Sequence, residues 1–350
     1  MQPFPAAVVL VGGEGLRLRP LTRTLPKPMI PVAGRPLIGR LLDHLAASGV
    51  VGSIHLASGY RAEAFEGLEG PPFHLACEPS PQGTAGAVAF AAGPASGPLW
   101  VLNGDALVPV DLAAMFEVHR RTGALATLAS VRLQDCARYG RLEVDPEGRL
   151  LAFREKDDTP GAGWVNAGVY LLEPEVLGAI PPERPCSLER EVFPVLLSRG
   201  ARLQTFPHRG YFRDLGTPES YRQAVFDLLE GIHLGVGVEV DPSARLSPPL
   251  YLGPGCRVGP RARLVGPSVL EDRVQVGAGA FIDSSILWED CRVEEGAVLR
   301  QAILGRGARA RGRVVPGAVV GFACDAPQGR NPRGSGLNSL PPSREKEPGT

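Results

Sequence analysis

Between Gly12 and Pro28 the chain reads Gly12-Gly13-Glu14-Gly15-Leu16-Arg17-Leu18-Arg19-Pro20-Leu21-Thr22 and then Pro26-Lys27-Pro28. Glycines let a backbone approach a ligand closely and present N–H groups to an anion. Arg17 and Lys27 can then add charge-assisted bonds to a polyphosphate, and no acid lies between Glu14 and Val32 to neutralise them. Two common phosphate loops do not fit: Leu18 stands where the third glycine of G-x-G-x-x-G belongs, and no Gly-Lys-Ser/Thr occurs here. Further on, Asn103-Gly104-Asp105 and Tyr211-Phe212-Arg213-Asp214-Leu215-Gly216-Thr217 each put an aspartate close to a glycine. Two such carboxylates suit an octahedral Mg²⁺ bound to phosphates, whereas either alone also fits a turn residue or a helix cap. The six histidines show neither metal-ligand spacing nor a nucleophile motif.

The elements that must position these groups follow from hydrophobic pattern. Residues 6–11 form a short apolar run suited to a buried parallel strand, and the glycine loop leaves its C-terminal end, where open α/β sheets bind ligands. Residues 35–48 place Leu37, Ile38, Leu41, Leu42 and Leu45 at helical spacing, with Gly49 at the C′ position. Residues 53–57, 73–77 and 99–103 are further strands. Residues 84–92, 112–121 and 188–199 are helices, and 217–230 forms a closing helix. The alternation predicts an open, Rossmann-like α/β sheet, parallel or mixed, with helices on both faces, over residues 1–232.

Near Val240 the character changes. Val240, Leu246, Leu252, Val258, Leu264, Leu270, Val276 and Ile282 recur every six residues, and the position four further on is small or slim at Ala244, Cys256, Ala262, Ser268, Val274 and Ala280. A six-residue apolar period rich in Gly and Pro makes the coils of a β-helix, here expected over 238–322. The period slips after Ile282 and resumes at Val293 and Leu299. Residues 325–350 hold only two leucines among Gly, Pro, Ser and charge, and read as a disordered tail. A cut near Gly235 is expected to leave a folded α/β unit.

The glycine-loop sequence, followed by Pro-Lys-Pro, resembles that of the sugar-1-phosphate nucleotidyltransferases over roughly residues 6–230; several branches of that family carry a left-handed hexapeptide β-helix. The resemblance implies that an NTP and a sugar 1-phosphate give an NDP-sugar and pyrophosphate with Mg²⁺ as cofactor. Gly12, Gly13, Gly15, Arg17 and Lys27 then receive the nucleotide, and Asp105 and Asp214 match the two metal-binding aspartates. Residues 78–87 resemble the base-recognition loop, with Glu78, Gly83 and Thr84 at the nucleotide. A carboxylate only accepts hydrogen bonds, and guanine offers adjacent N1–H and N2–H donors, so Glu78 argues for GTP. Tyr139-Gly140, Glu155-Lys156, Asn166-Ala167-Gly168 and Leu188-Glu189-Arg190-Glu191 resemble the sugar-phosphate contacts, giving Gly140, Glu155, Asn166 and Glu189 at the sugar and Lys156 at its phosphate. Asp157 stands where the family has proline after that lysine. Of Glu189 and Glu191, one fits a solvated helix face, and Glu189 is taken as the ligand. The resemblance points to mannose 1-phosphate, with heptose 1-phosphate or a thymidylyl or uridylyl transfer to glucose 1-phosphate as alternatives. A catalytically silent regulatory subunit is the rival from another class.

Composition bounds the rest. Lys plus Arg and Asp plus Glu are both 37, so the net charge of zero argues against a nucleic-acid binder, although it allows a local basic pocket. No apolar run approaches the length of about 18 residues needed to cross a membrane, and the first residues lack the pattern of a signal peptide. The six cysteines contain no C-x-x-C pair and read as reduced thiols of a cytoplasmic protein. No histidine follows His233, which argues against a histidine-dependent acyltransferase on the β-helix. The stacked coils suggest a homo-oligomer.

Overall fold

The computed structural model describes residues 4–68, 71–94, 96–137, 139–154, 161–182 and 184–329. Its first half is organised by a nine-stranded mixed sheet. In chain order the strands are β1 (Ala6–Leu10), β2 (Ile54–Ser58), β3 (His74–Cys77) and β4 (Leu99–Asn103), then a short β5 (Ala106–Leu107) outside that sheet. They continue with β6 (Ala126–Leu133), β7 (Arg141–Val144), β8 (Leu150–Arg154), β9 (Gly163–Leu172) and β10 (Leu203–His208), and β11 (Arg213–Asp214) pairs with β5. The spatial order is β10-β6-β9-β4-β1-β2-β3, with β9 antiparallel to both its neighbours and the β7–β8 hairpin attached to it.

Strand alternation feeds two cores. On β1, Ala7 and Val9 face helices α1 (Leu37–Ala47) and, beyond α2 in sequence, α3 (Leu112–Thr122). Val8 faces the other way, against α2 (Gly83–Ala92). A strand covered on both faces needs apolar residues at every position, which is why residues 6–11 read as an unbroken apolar run.

From Ile232 the chain winds into a β-helix of three parallel sheets. Arg245 stands beside Arg263 and Arg263 beside Phe281, a step of eighteen residues, or three hexapeptides per coil. The next step, Phe281 to Val298, is one residue shorter, which accounts for the slip after Ile282. The six-residue positions from Leu252 to Ile282 are buried, and so are the slim positions between them from Cys256 to Ala280. Only small side chains fit at the inner corners of so narrow a coil.

The β-helix lies against the α/β half. Leu18, Leu21, Ile30, Val32, Tyr221 and Val225 share one core with Val269, Ile286, Trp288 and Ile303. Tyr221 donates to the carbonyl of Pro31 (2.6 Å) and accepts from the Trp288 indole (2.8 Å). The first five residues of the tail expected over 325–350 are ordered into the fold. Asp325–Gly329 lie on the last coils, with Ala326 buried and Val314 bridged to Gln328, while 330–350 lie outside the described residues. No helix among the described residues is long and apolar enough to cross a membrane.

Candidate active site

The loops after β1, β3 and β4 open on one cleft made of two adjoining cavities, of about 630 and 350 Å³, which share Arg17, Thr84, Asn103 and Asp105. A larger concavity, about 740 Å³, runs along the outer wall of the β-helix past Arg257, Gln275, Arg292 and Arg309, far from these loops in sequence. The cleft is the better site because buried charge and unpaired polar atoms converge there.

Gly12 and Gly13 are exposed at the end of β1, and nothing stands within 4 Å of the position a Cβ on Gly13 would take. Gly15 has φ 61° and starts a short turn that presents Arg17, while Thr22 donates its hydroxyl to the Gly15 carbonyl (2.8 Å). Arg19 turns aside to pair with Glu14. Arg17 reaches across to Gly216, where a Cβ would lie 2.7 Å from its guanidinium and 2.5 Å from the Asp214 carboxylate.

Lys27 is buried, and its ammonium sits between two carboxylates, donating to Asp105 Oδ2 (2.9 Å) and Asp214 Oδ1 (3.1 Å). Residues from three distant segments thus meet at one nitrogen. The Asp105 side chain is 48% exposed against 6% for Lys27, so the cation is anchored from below and the acids face the cleft. As donors, two hard carboxylates with solvent on one side fit Mg²⁺ completed by phosphate oxygens and water. Among the described residues no third His, Cys, Asp or Glu joins them into a closed metal cage.

Glu78 follows β3, and its N–H donates to the carbonyl of Ser58 at the end of β2 (2.7 Å). Oε2 accepts from Gln82 N–H (3.4 Å), whereas Oε1 is buried without a partner. Burial pushes this carboxyl above its ordinary range, against the opposing pull of the Gln82 amide. Gly83 begins α2 at φ 71°, and a Cβ there would strike the Cys186 carbonyl at 2.4 Å. The close approach lets Ala85 N–H donate to that carbonyl and ties the cavity beside Glu78 to the one beside Glu189.

On that second side, Asn166 N–H donates to the Gly140 carbonyl, and Asn166 Nδ2 donates to Tyr170 Oη (2.6 Å). Glu189 accepts from Thr84 Oγ1 and Ser187 Oγ (2.8 Å each) on one oxygen and from Tyr170 (2.9 Å) on the other. Its neighbour Glu191 pairs instead with Arg184 and with Ser187 N–H, which holds its carboxyl below the ordinary range. The expectation for Glu155 and Lys156 falls outside the described residues.

Comparison with known proteins supplies the family. The family described as Nucleotidyl transferase matches residues 6–231, and the GlmU-like C-terminal hexapeptide family matches 251–330. The chain belongs to the nucleotidyl transferase family. It is 37% identical to a mannose-1-phosphate guanylyltransferase of Mycobacterium tuberculosis over 84% of this chain and 83% of that one. It is 36% identical to a mannose-1-phosphate guanyltransferase of Schizosaccharomyces pombe over 61% and 62%. Among solved structures, HddC of Yersinia pseudotuberculosis in complex with GMP-PN superposes with a TM-score of 0.55 at 28% identity, covering 63% of this chain and 98% of that one.

In this nucleotidyl transferase the geometry adds residues that motif reading passed over. Tyr170 lies in the apolar second half of β9, between Val169 and Leu171, and its hydroxyl joins Asn166 to Glu189. A tyrosine in a buried apolar run needs a partner for its hydroxyl, which was the available signal. Asn103 lines both cavities, and Phe212 packs edge-on against Tyr139 at the sugar side.

Proposed function

We propose that this nucleotidyl transferase moves GMP from GTP to mannose 1-phosphate, giving GDP-mannose and pyrophosphate. The observation that carries the guanine reading is the buried, unpartnered Oε1 of Glu78 at the base side of the cleft, which calls for a donor from the ligand. The sugar reading rests on the guanylyltransferase names of the relatives. Heptose 1-phosphate is the second reading, favoured by the likeness to HddC.

In this scheme a phosphate oxygen of the sugar attacks the α-phosphorus in line. The bond from that phosphorus to the bridging oxygen breaks, and pyrophosphate leaves with the electron pair. The protein contributes position and charge, and no covalent enzyme intermediate is needed. The exposed Gly12 and Gly13 meet the nucleotide through their N–H groups, and Arg17, in no ion pair among the described residues, faces the phosphates. Lys27 holds the two aspartates together, and Asn166 and Glu189 fix the sugar hydroxyls. Asp105 and Asp214 would hold Mg²⁺, which supplies charge neutralisation for the triphosphate. Lys156 is assigned to the sugar phosphate on the family resemblance. Retention of Arg17, Lys27, Asp105 and Asp214 argues for catalysis over a silent regulatory role. A reduced cytoplasmic setting and a homo-oligomeric state belong to the same reading.

The test is pyrophosphate release from four NTPs against a panel of sugar 1-phosphates. GTP with mannose 1-phosphate is expected to give the highest kcat/KM. Preference for UTP or dTTP overturns the guanine reading, and preference for another sugar phosphate overturns the mannose reading.

A further inference from the structure

Thr84 stands in the first turn of α2 and lines both cavities of the cleft. The family resemblance puts it at the nucleotide, yet its hydroxyl is spent on the other side. Oγ1 gives its proton to Glu189 Oε2 (2.8 Å) and accepts from Leu188 N–H (2.9 Å). A hydroxyl has one O–H to donate, so none is left for a phosphate oxygen or a base carbonyl. Two backbone bonds fasten the same pair of segments: Cys186 N–H donates to the Gln82 carbonyl and Ala85 N–H to the Cys186 carbonyl, both at 2.9 Å. The start of α2 and the segment that carries Glu189 are therefore one stitched unit.

Glu189 itself receives three donors. Ser187 Oγ shares Oε2 with Thr84 (2.8 Å), and Tyr170 Oη takes Oε1 (2.9 Å). An ionised carboxylate accepts in about four directions, so one on Oε1 is left for a ligand in the cavity that Glu189 lines. Each donor is fixed in turn. Tyr170 is buried and accepts from Asn166 Nδ2 (2.6 Å), Thr84 is held by Leu188, and Ser187 Oγ accepts from Arg190 N–H (3.2 Å). Leu188–Val192, which carries Glu189, is a single wide π turn, an irregularity that chains keep chiefly at functional sites.

We propose that Thr84 is a positioning residue for the sugar phosphate rather than a ligand of the nucleotide. With Ser187 and Tyr170 it locks Glu189 so that one carboxylate oxygen meets one sugar hydroxyl. A carboxylate held in this way accepts and cannot donate, and it has no rotamer in which to find another partner. A sugar 1-phosphate that lacks the contacted hydroxyl leaves it unmatched, so the lock selects against that deoxy sugar. The proposal rests on the reading of this cavity as the sugar-phosphate site.

Steady-state kinetics test it, using the NTP and the sugar 1-phosphate of highest turnover, so the identity of the sugar does not bear on the outcome. A set of monodeoxy analogues of that sugar phosphate completes the panel. Thr84→Val keeps the shape and removes the donor. Its KM for the sugar phosphate should rise about tenfold or more while KM for the NTP changes by about twofold or less. Rejection of the analogue that lacks the contacted hydroxyl should narrow by about fivefold or more. Thr84→Ser keeps the hydroxyl and should return all three values to within about threefold of wild type. Tyr170→Phe removes the donor on the other oxygen and should repeat the Thr84→Val pattern without touching α2. A rise confined to KM for the NTP, a Thr84→Ser variant no better than Thr84→Val, or unchanged rejection of every deoxy analogue would each overturn the proposal. Wild-type kinetics in Thr84→Val and Tyr170→Phe beside a raised sugar-phosphate KM in Glu189→Ala would overturn it alone. A wild-type KM in Glu189→Ala would overturn it together with the sugar-site reading.

Discussion

Glu78 concentrates the chemistry of the base side in one atom. Its Oε2 is occupied by the Gln82 amide and its Oε1 has no partner, so under the proposed guanine reading the free oxygen takes a donor from the ligand. In Glu78→Gln the amide nitrogen faces guanine N–H groups, and donor meets donor. A mispaired buried polar group costs about 1–3 kcal/mol, so kcat/KM for GTP should fall roughly tenfold to a hundredfold, and UTP or dTTP should hold or gain. Steady-state kinetics on both nucleotides check this, and an unchanged GTP preference removes Glu78 as the base reader. The position of Glu78 was legible because its loop is a local motif. The position of Lys27 relative to its acids was not: its partners lie 78 and 187 residues away, and nothing local encodes that meeting. The residue was readable as a cation at the phosphates, whereas its place between Asp105 and Asp214 depends on how β4 and β11 deliver the two carboxylates.

The coils of the β-helix were legible for the same reason, since a six-residue period is written in short stretches of chain. Strands β6, β9 and β10 were not, because β9 inserts antiparallel between β4 and β6, a choice made by long-range pairing. One buried acid joins these two kinds of element. Glu271, on the β-helix, accepts from Gly34 N–H (2.9 Å) in the loop after Lys27, and its other oxygen is buried unpaired. Burial first, then Asp272 and Glu289, push this carboxyl from its ordinary 4.5 up to about 8, although Gly34 and Arg40 pull the other way; Tyr251, Arg35 and Asp43 complete the charged surroundings. The native state therefore keeps a proton that the unfolded chain releases. Its stabilisation is full below about 4.5 and is lost as pH rises toward and through about 8. Glu271→Gln carries no titrating group there, so its melting temperature should gain on wild type between pH 6 and pH 9. Parallel melting curves for the two proteins across that range would show that Glu271 does not set this slope.

At the scale of the whole molecule, the sequence suggests two units, and the core they share gives a physical reason for truncation near Gly235 to cost stability. Leu18 and Leu21 follow Arg17, and Ile30 and Val32 follow Lys27; these side chains share their core with Val269, Ile286, Trp288 and Ile303 of the β-helix. Each large side chain returned to water costs about 1.5–3 kcal/mol. A chain ending before Gly235 therefore exposes the underside of the segment that carries Arg17 and Lys27 and strands the Tyr221 hydroxyl without its indole donor. It should melt at least about 10 °C lower, given that 1 kcal/mol moves a domain of this size by roughly 2–4 °C. Its turnover should drop tenfold or more, because Arg17 and Lys27 lose the packing that fixes them. Truncation also removes every other contact of the coils, so a second variant isolates the shared core. Trp288→Ala leaves residues 231–249 untouched, removes an indole at about 3–5 kcal/mol and frees Tyr221. It should lower both melting temperature and turnover while leaving the mass in solution unchanged. Melting and kinetics equal to wild type in Trp288→Ala would mean that the α/β half holds its phosphate segment without help from the coils.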